Sequence, residues 1–132
     1  MTEGGIYVLD THVLIWYFIG SKRLQQRLKE HIDEVRNQGG RLLVPTIVLA
    51  EALDIAEKGK IEFDFAKMNQ FICAEPEFEV LSFTPEVLEE AIRIREVREI
   101  HDRIIVATAR FYQAGIMTKD HIIHESGEVE VP

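Results

Sequence analysis

Apolar positions along this chain follow two spacings. Short β-branched or aromatic runs, "IYVL" (6–9), "RLLVP" (41–45), "FEVLSF" (78–83) and "IMT" (116–118), read as strands. "EVEV" (128–131) offers a fifth at an edge. The segments between them carry a helical period. Residues 11–19 read as a mostly buried helix. Ser21 then caps a second helix, in which Leu24, Leu28, Ile32 and Val35 recur until Gly39-Gly40 stops it. An apolar helix opens at Thr46 and ends near Gly59, and a short one covers 64–74. "TPEVLEEAIRIRE" (84–96) has Thr at the N-cap, Pro at the first helical position and Glu in the first turn. The last helix covers roughly 102–114 and stops at Gly115.

Strands this short and apolar, alternating with helices, predict a parallel sheet covered on both faces. With right-handed crossovers the result is a three-layer α/β/α domain, Rossmann-like, with four to five strands. At 132 residues the chain is expected to be one domain, spanning 1–132. An apolar fraction of 46% with 29% charged residues is that of a globular chain, not a disordered one.

Composition also narrows the setting. The single cysteine, Cys73, has no internal partner, which fits a reducing cytoplasm. The longest apolar run, "VLIWYFI" (13–19), is too short to span a bilayer, and "MTEGG" lacks the basic segment of a secretory leader. The expectation is a cytoplasmic protein with no membrane role. A net charge of −8 counts against nucleic-acid binding. It does not exclude an enzyme whose carboxylates gather metal ions, because the ions reverse the charge locally.

Ligands of such sheets sit outside the carboxyl ends of the strands, and four acids converge there. Asp10 closes the first strand and Asp120 follows the fourth. Asp102 opens the helix that leads to the fourth strand, and Glu51 lies about one turn into the helix after the second. Each has a plainer reading: Asp10 and Asp102 as helix N-caps, Asp120 as a turn residue. Glu51 is harder to set aside, since its helix neighbours are Ile47, Val48, Leu49, Ala50, Ala52, Leu53 and Ile55. A carboxylate among apolar residues needs a partner or a task.

Two carboxylates about 5 Å apart repel by roughly 3 kcal/mol at an effective dielectric of about 20. Four would be driven to protonate unless cations sat among them. No basic residue is placed as a built-in partner for each acid on this rim. Hard divalent cations with oxygen ligands, Mg²⁺ or Mn²⁺, are the natural answer. One ion acidifies a water and aims it at phosphorus, and a second stabilises the departing oxygen, which is the chemistry of phosphodiester hydrolysis.

The motifs "LDTH", "TIVLAEAL", "IHDRIIVATA" and "IMTKD", with Asp10, Glu51, Asp102 and Asp120 in that order, resemble the PIN-domain family over nearly the whole chain. The "DTHVLIW", "LSFTPEVLEEA" and "DRIIVATA" segments are similar to its branch of VapC-type toxins. The resemblance implies a metal-dependent endoribonuclease using Mg²⁺ or Mn²⁺. It further implies an RNA substrate, a role as toxin beside a cognate antitoxin, and a homodimer. It places the metal ions at Asp10, Glu51, Asp102 and Asp120, with Thr11 and Thr118 positioning them or the substrate. His12 stands where many members carry Ser or Asn. It either hydrogen-bonds a site carboxylate or merely closes the first helix turn.

Other residues have weaker claims. "HIIH" (121–124) and His101 lack a further ligand at zinc spacing. Asp54, one turn after Glu51, reads as solvated or salt-bridged, and Cys73 as a packing residue. Trp16 and Tyr17 either stack on bases or serve the core or a dimer contact. Lys22, Arg23, Arg103, Arg110 and Lys119 are scattered rather than clustered. A phosphorylated receiver domain is excluded, since neither "VLSFT" nor "LLVPT" ends a central strand on an acid. The alternative function is a catalytically weak PIN-like module that binds RNA or protein. Such a module keeps its function when Glu51 or Asp102 is neutralised.

Overall fold

The structure, a computed structural model, describes residues 4–119. Asp120, the two "HIIH" histidines and the edge strand expected at 128–131 lie outside the described residues. Strands β1 (Ile6–Leu9), β2 (Arg41–Pro45), β3 (Phe78–Leu81) and β4 (Gly115–Met117) run parallel in the order β3-β2-β1-β4. Every residue of β2 after Arg41 is buried, as is all of β4 and the second half of β1. Successive strand residues point to opposite faces. Consecutive burial therefore means that both faces are covered, which is the α/β/α architecture expected.

Six helices supply the cover: α1 (Thr11–Ile19), α2 (Gln26–Asn37), α3 (Thr46–Glu57), α4 (Phe65–Ala74), α5 (Pro85–Ile92) and α6 (Ile100–Phe111). Helices α2 and α3 pack on β2, α4 on β3, α6 on β1 and β4, and α5 on α6. The stripe Leu28, Ile32 and Val35 buries one face of α2, as its period predicts. None of the helices among the described residues is long and apolar enough to cross a membrane.

Several boundaries depart from the expected ones, each for a local reason. Ser21 does not cap α2: its hydroxyl accepts from the Arg23 N–H at 3.1 Å in a turn, and the helix opens later, after Gln25. Helix α5 begins as expected, with Thr84 accepting from the Val87 N–H at 3.3 Å, but ends at Ile92 instead of 96. Ile94 and Val97 stay buried in the following loop, so the apolar period outlasts the helix itself. Strand β3 ends at Leu81 instead of 83, and β4 starts at Gly115 instead of 116.

The chain steps outward from β1 to β2 and β3, then returns across the sheet to β4 beside β1. The crevice at the carboxyl ends of β1 and β4 is where the strand order reverses, the usual ligand position in an open α/β sheet.

Gly40, just before β2, is a packing constraint. A Cβ there would lie 2.6 Å from the Gly5 carbonyl oxygen and 2.7 Å from Val35 Cγ1. The carbonyl cannot move aside, because it accepts the Arg41 N–H at 3.0 Å. Gly40→Ala is expected to destabilise the fold by about 1–3 kcal/mol. Urea unfolding would show a lower midpoint at an unchanged slope.

Candidate active site

Asp10 is both a helix cap and a site residue. It leaves β1 in an extended conformation, φ −70° and ψ 157°, and its Oδ1 accepts the Thr11 N–H at 2.7 Å at the start of α1. Its Oδ2 accepts the Thr118 hydroxyl at 2.6 Å, from the segment just after β4. The carboxylate thus spans the crevice between β1 and β4 and is only 6% exposed. Burial pushes its pKa up, against the pull of Thr118 and Thr11, and the charge of Glu51 pushes it up further.

Glu51 lies in the second turn of α3, where Thr11 Oγ1 donates a hydrogen bond to its Oε1. The single residue Thr11 therefore links both acids, its amide to Asp10 and its hydroxyl to Glu51. Glu51 is less enclosed than its neighbours predicted. It is half-buried, because Ala50 and Leu53 on the same helix face solvent.

Asp102 does not open α6. Glu99 is the N-cap, with Oε2 accepting the Asp102 N–H at 2.8 Å, so Asp102 sits at the third helical position. The other oxygen of Glu99 accepts from His101 Nδ1 at 2.8 Å. That bond pushes the His101 pKa up, and the charges of Glu51 and Asp102 push the same way. Asp102 also lines a cleft of about 200 Å³ with Glu96, Val97, Arg98 and Glu99.

Asp10, Thr11, Glu51 and Thr118 thus form one hydrogen-bonded cluster, and the charges of Glu51 and Asp102 both act on His101. Among the described residues no three His, Cys, Asp or Glu side chains gather closely enough to hold one metal ion. The expected fourth acid, Asp120, lies outside the described residues. The donor set suits a hard cation. An ionised carboxylate accepts at about four lone-pair positions, so the two threonine bonds leave Asp10 free capacity on both oxygens.

The rim is not without cations. Lys119, next to Thr118, holds its ammonium 5.1 Å above the Trp16 ring. Burial lowers the His12 pKa, and the charge of Lys119 lowers it further. The His12 ring lies 5.5 Å from that of Trp16 and makes no hydrogen bond to a carboxylate among the described residues. Arg103 and Arg110 tie α6 to α5 through the Ala91 carbonyl at 2.9 Å and Glu90 at 3.0 Å. Asp54 pairs with Lys58 at 3.0 Å, as a salt-bridged residue would. Cys73 is exposed, not packed. Sequence reasoning passed over Glu99, whose signal was its spacing of three residues before Asp102.

Among curated proteins, none matches the chain in sequence. The fold is similar to VapBC2 from Rickettsia felis, solved bound to a DNA fragment from its promoter. The TM-score is 0.74 at 14% identity, over 96% of this chain and 97% of that one. DNA-bound VapBC from Salmonella typhimurium gives a TM-score of 0.70 at 16% identity, over 100% and 98%. Mycobacterium tuberculosis VapC20, described as a sarcin–ricin loop cleaving toxin, gives 0.67 at 18%, over 96% and 98%. The PIN domain family model matches residues 7–128. The chain belongs to the PIN domain family.

Proposed function

We propose that this protein is a metal-dependent endoribonuclease and the toxin of a toxin–antitoxin pair. The observation that carries the reading is the buried Asp10 carboxylate, held at the β1–β4 crevice by two hydrogen bonds and linked to Glu51 through Thr11. Asp10, Glu51, Asp102 and Asp120 would hold Mg²⁺ or Mn²⁺. Such an ion, when bound, supplies an acidified water and a counter-charge for the departing oxygen.

The chain's own residues prepare the site. Thr118 and the Thr11 amide fix both oxygens of Asp10, so its orientation costs nothing when substrate arrives. The Thr11 hydroxyl does the same for Glu51. Glu99 anchors the first turn of α6, which carries Asp102. Burial at Asp10 thins the water and strengthens every charge interaction there. The likeness to VapBC proteins and to a loop-cleaving toxin supports RNA as substrate and an antitoxin as partner. A homodimer in the cytoplasm completes the reading.

The test is cleavage of a labelled single-stranded RNA with Mn²⁺. Activity is expected to vanish with EDTA and return when Mn²⁺ is restored. Glu51→Gln should lose about 2–3 kcal/mol of transition-state stabilisation, a roughly 30- to 150-fold drop in kcat/KM. Undiminished cleavage in EDTA, or by Glu51→Gln, overturns the proposal.

A further inference from the structure

Three consecutive residues at the end of β4 grip the segment that carries Asp10. The Met117 carbonyl accepts the Asp10 N–H at 3.0 Å. The Thr118 hydroxyl donates to Asp10 Oδ2 at 2.6 Å. The Lys119 ammonium lies 5.1 Å from the centroid of the Trp16 ring, on the helix that Asp10 caps. The first two hold Asp10 itself. The third holds the chain that delivers them.

This last contact matters because β4 is short. The strand has three residues and, among the described residues, is an edge strand paired with β1 alone. So brief a ladder has few hydrogen bonds to lose, and its end opens more readily than the centre of the sheet. The Trp16 ring is by contrast a fixed platform. It is 8% exposed, and the His12 ring, one helical turn earlier, packs against it at 5.5 Å. A cation within about 6 Å of a ring centroid is attracted to its face. At an exposed site that attraction favours the closed contact roughly two- to fivefold.

Resting on the reading of Asp10 as a metal-holding acid, we infer that Lys119 and Trp16 are positioning residues: their contact pins the end of β4 and so keeps Thr118 on Asp10. When the contact opens, the segment after β4 frays and Thr118 shares in the opening. Asp10 then keeps only the Thr11 N–H, which fixes one oxygen and leaves the other without its donor. The carboxylate is free to turn, and the geometry it offers an ion is lost for that fraction of the time. Lys119 thus acts on the site through Thr118, and Trp16 acts through Lys119.

The test is amide hydrogen exchange of the metal-free full chain, read residue by residue by NMR. In Lys119→Gln the Asp10 amide is expected to exchange roughly two- to fivefold faster. Lys119→Arg keeps a cation for the ring and should restore the wild-type rate. The Leu42 amide, bonded to the Glu77 carbonyl at 2.8 Å on the β2–β3 side of the sheet, should not change in either variant. With Mn²⁺ and a labelled RNA, kcat of Lys119→Gln should fall by a similar factor while KM holds, because what is lost is the alignment of Asp10. An unchanged Asp10 rate, failure of Lys119→Arg to restore it, or equal acceleration at Leu42 overturns the proposal. So does a raised KM with unchanged exchange, which would assign Lys119 to a substrate phosphate instead. Faster exchange in a chain that cuts no RNA would sink the ribonuclease reading and leave the anchor standing.

Discussion

Asp10→Asn is expected to lower RNA cleavage by at least about 10³-fold and, in metal-free buffer, to raise stability at neutral pH. The first effect follows from the role proposed for the carboxylate. Losing a directly ligating charge forfeits about 4 kcal/mol of transition-state stabilisation or more, and each 1.36 kcal/mol is about tenfold. The second follows from burial. Desolvation holds the folded pKa of Asp10 above its ordinary 3.8, despite two hydrogen bonds that oppose it. An acid with a raised folded pKa binds its proton more tightly in the folded state. Its contribution to stability is therefore lost as pH rises from 3.8 through the folded value. Asparagine avoids that loss. Its Oδ1 can keep the Thr11 N–H, and its amide can donate to Thr118 once that hydroxyl turns. Melting temperatures in EDTA should match below about pH 4 and separate toward neutrality, with the variant higher. A variant that melts lower at neutral pH would show that Asp10 is a stabilising cap and not a strained site.

Local patterns made much of this site legible. Asp10 and Thr118 follow strands, and Glu51 interrupts an apolar helix; each is visible within a few residues. The crevice follows from strand order, which the alternation of elements implied only in outline. Glu99 escaped notice because Glu is not a favoured N-cap, so Asp102 drew the assignment that its neighbour holds. The end of α5 was hidden by Ile94 and Val97, which keep an apolar spacing while the backbone leaves the helix. Cys73 lies just off the buried stripe of Met68 and Ile72, a distinction of one position on a short helix. Long-range contacts were invisible for another reason. Lys119 and Trp16 are far apart in the chain, and only the fold rests one on the other.

Arg36 is the clearest case of such a long-range arrangement, and its removal is expected to cost the most stability among the polar residues described. From the last turn of α2 its Nε donates to Glu77 at 2.9 Å and its Nη1 to the Tyr17 hydroxyl at 2.9 Å. Tyr17 in turn donates to Asp33 at 2.6 Å. The guanidinium carbon lies 5.4 Å from the Phe71 ring, 5.5 Å from Phe78 and 6.0 Å from Tyr17. One side chain thus joins α1, α2, α4 and the start of β3. Charge-assisted bonds are worth about 1.5–3 kcal/mol each when shielded, and cation–π contacts about 0.5–1. With Arg36 21% and Glu77 19% exposed, solvent reduces those values. Arg36→Ala should cost about 3 kcal/mol and lower the melting temperature by about 10 °C. Arg36→Lys should recover less than half, because an ammonium lacks the planar fork that meets two partners while lying against the rings. The pH dependence has a definite sign. The bond from Arg36 holds Glu77 below its ordinary 4.5, so the stability it contributes is present above 4.5 and lost as pH falls through the folded value. Urea midpoints of the two proteins should differ widely at neutral pH and draw together below about pH 4. A gap that stays constant with pH would mean that the rings, and not the carboxylate, account for the loss.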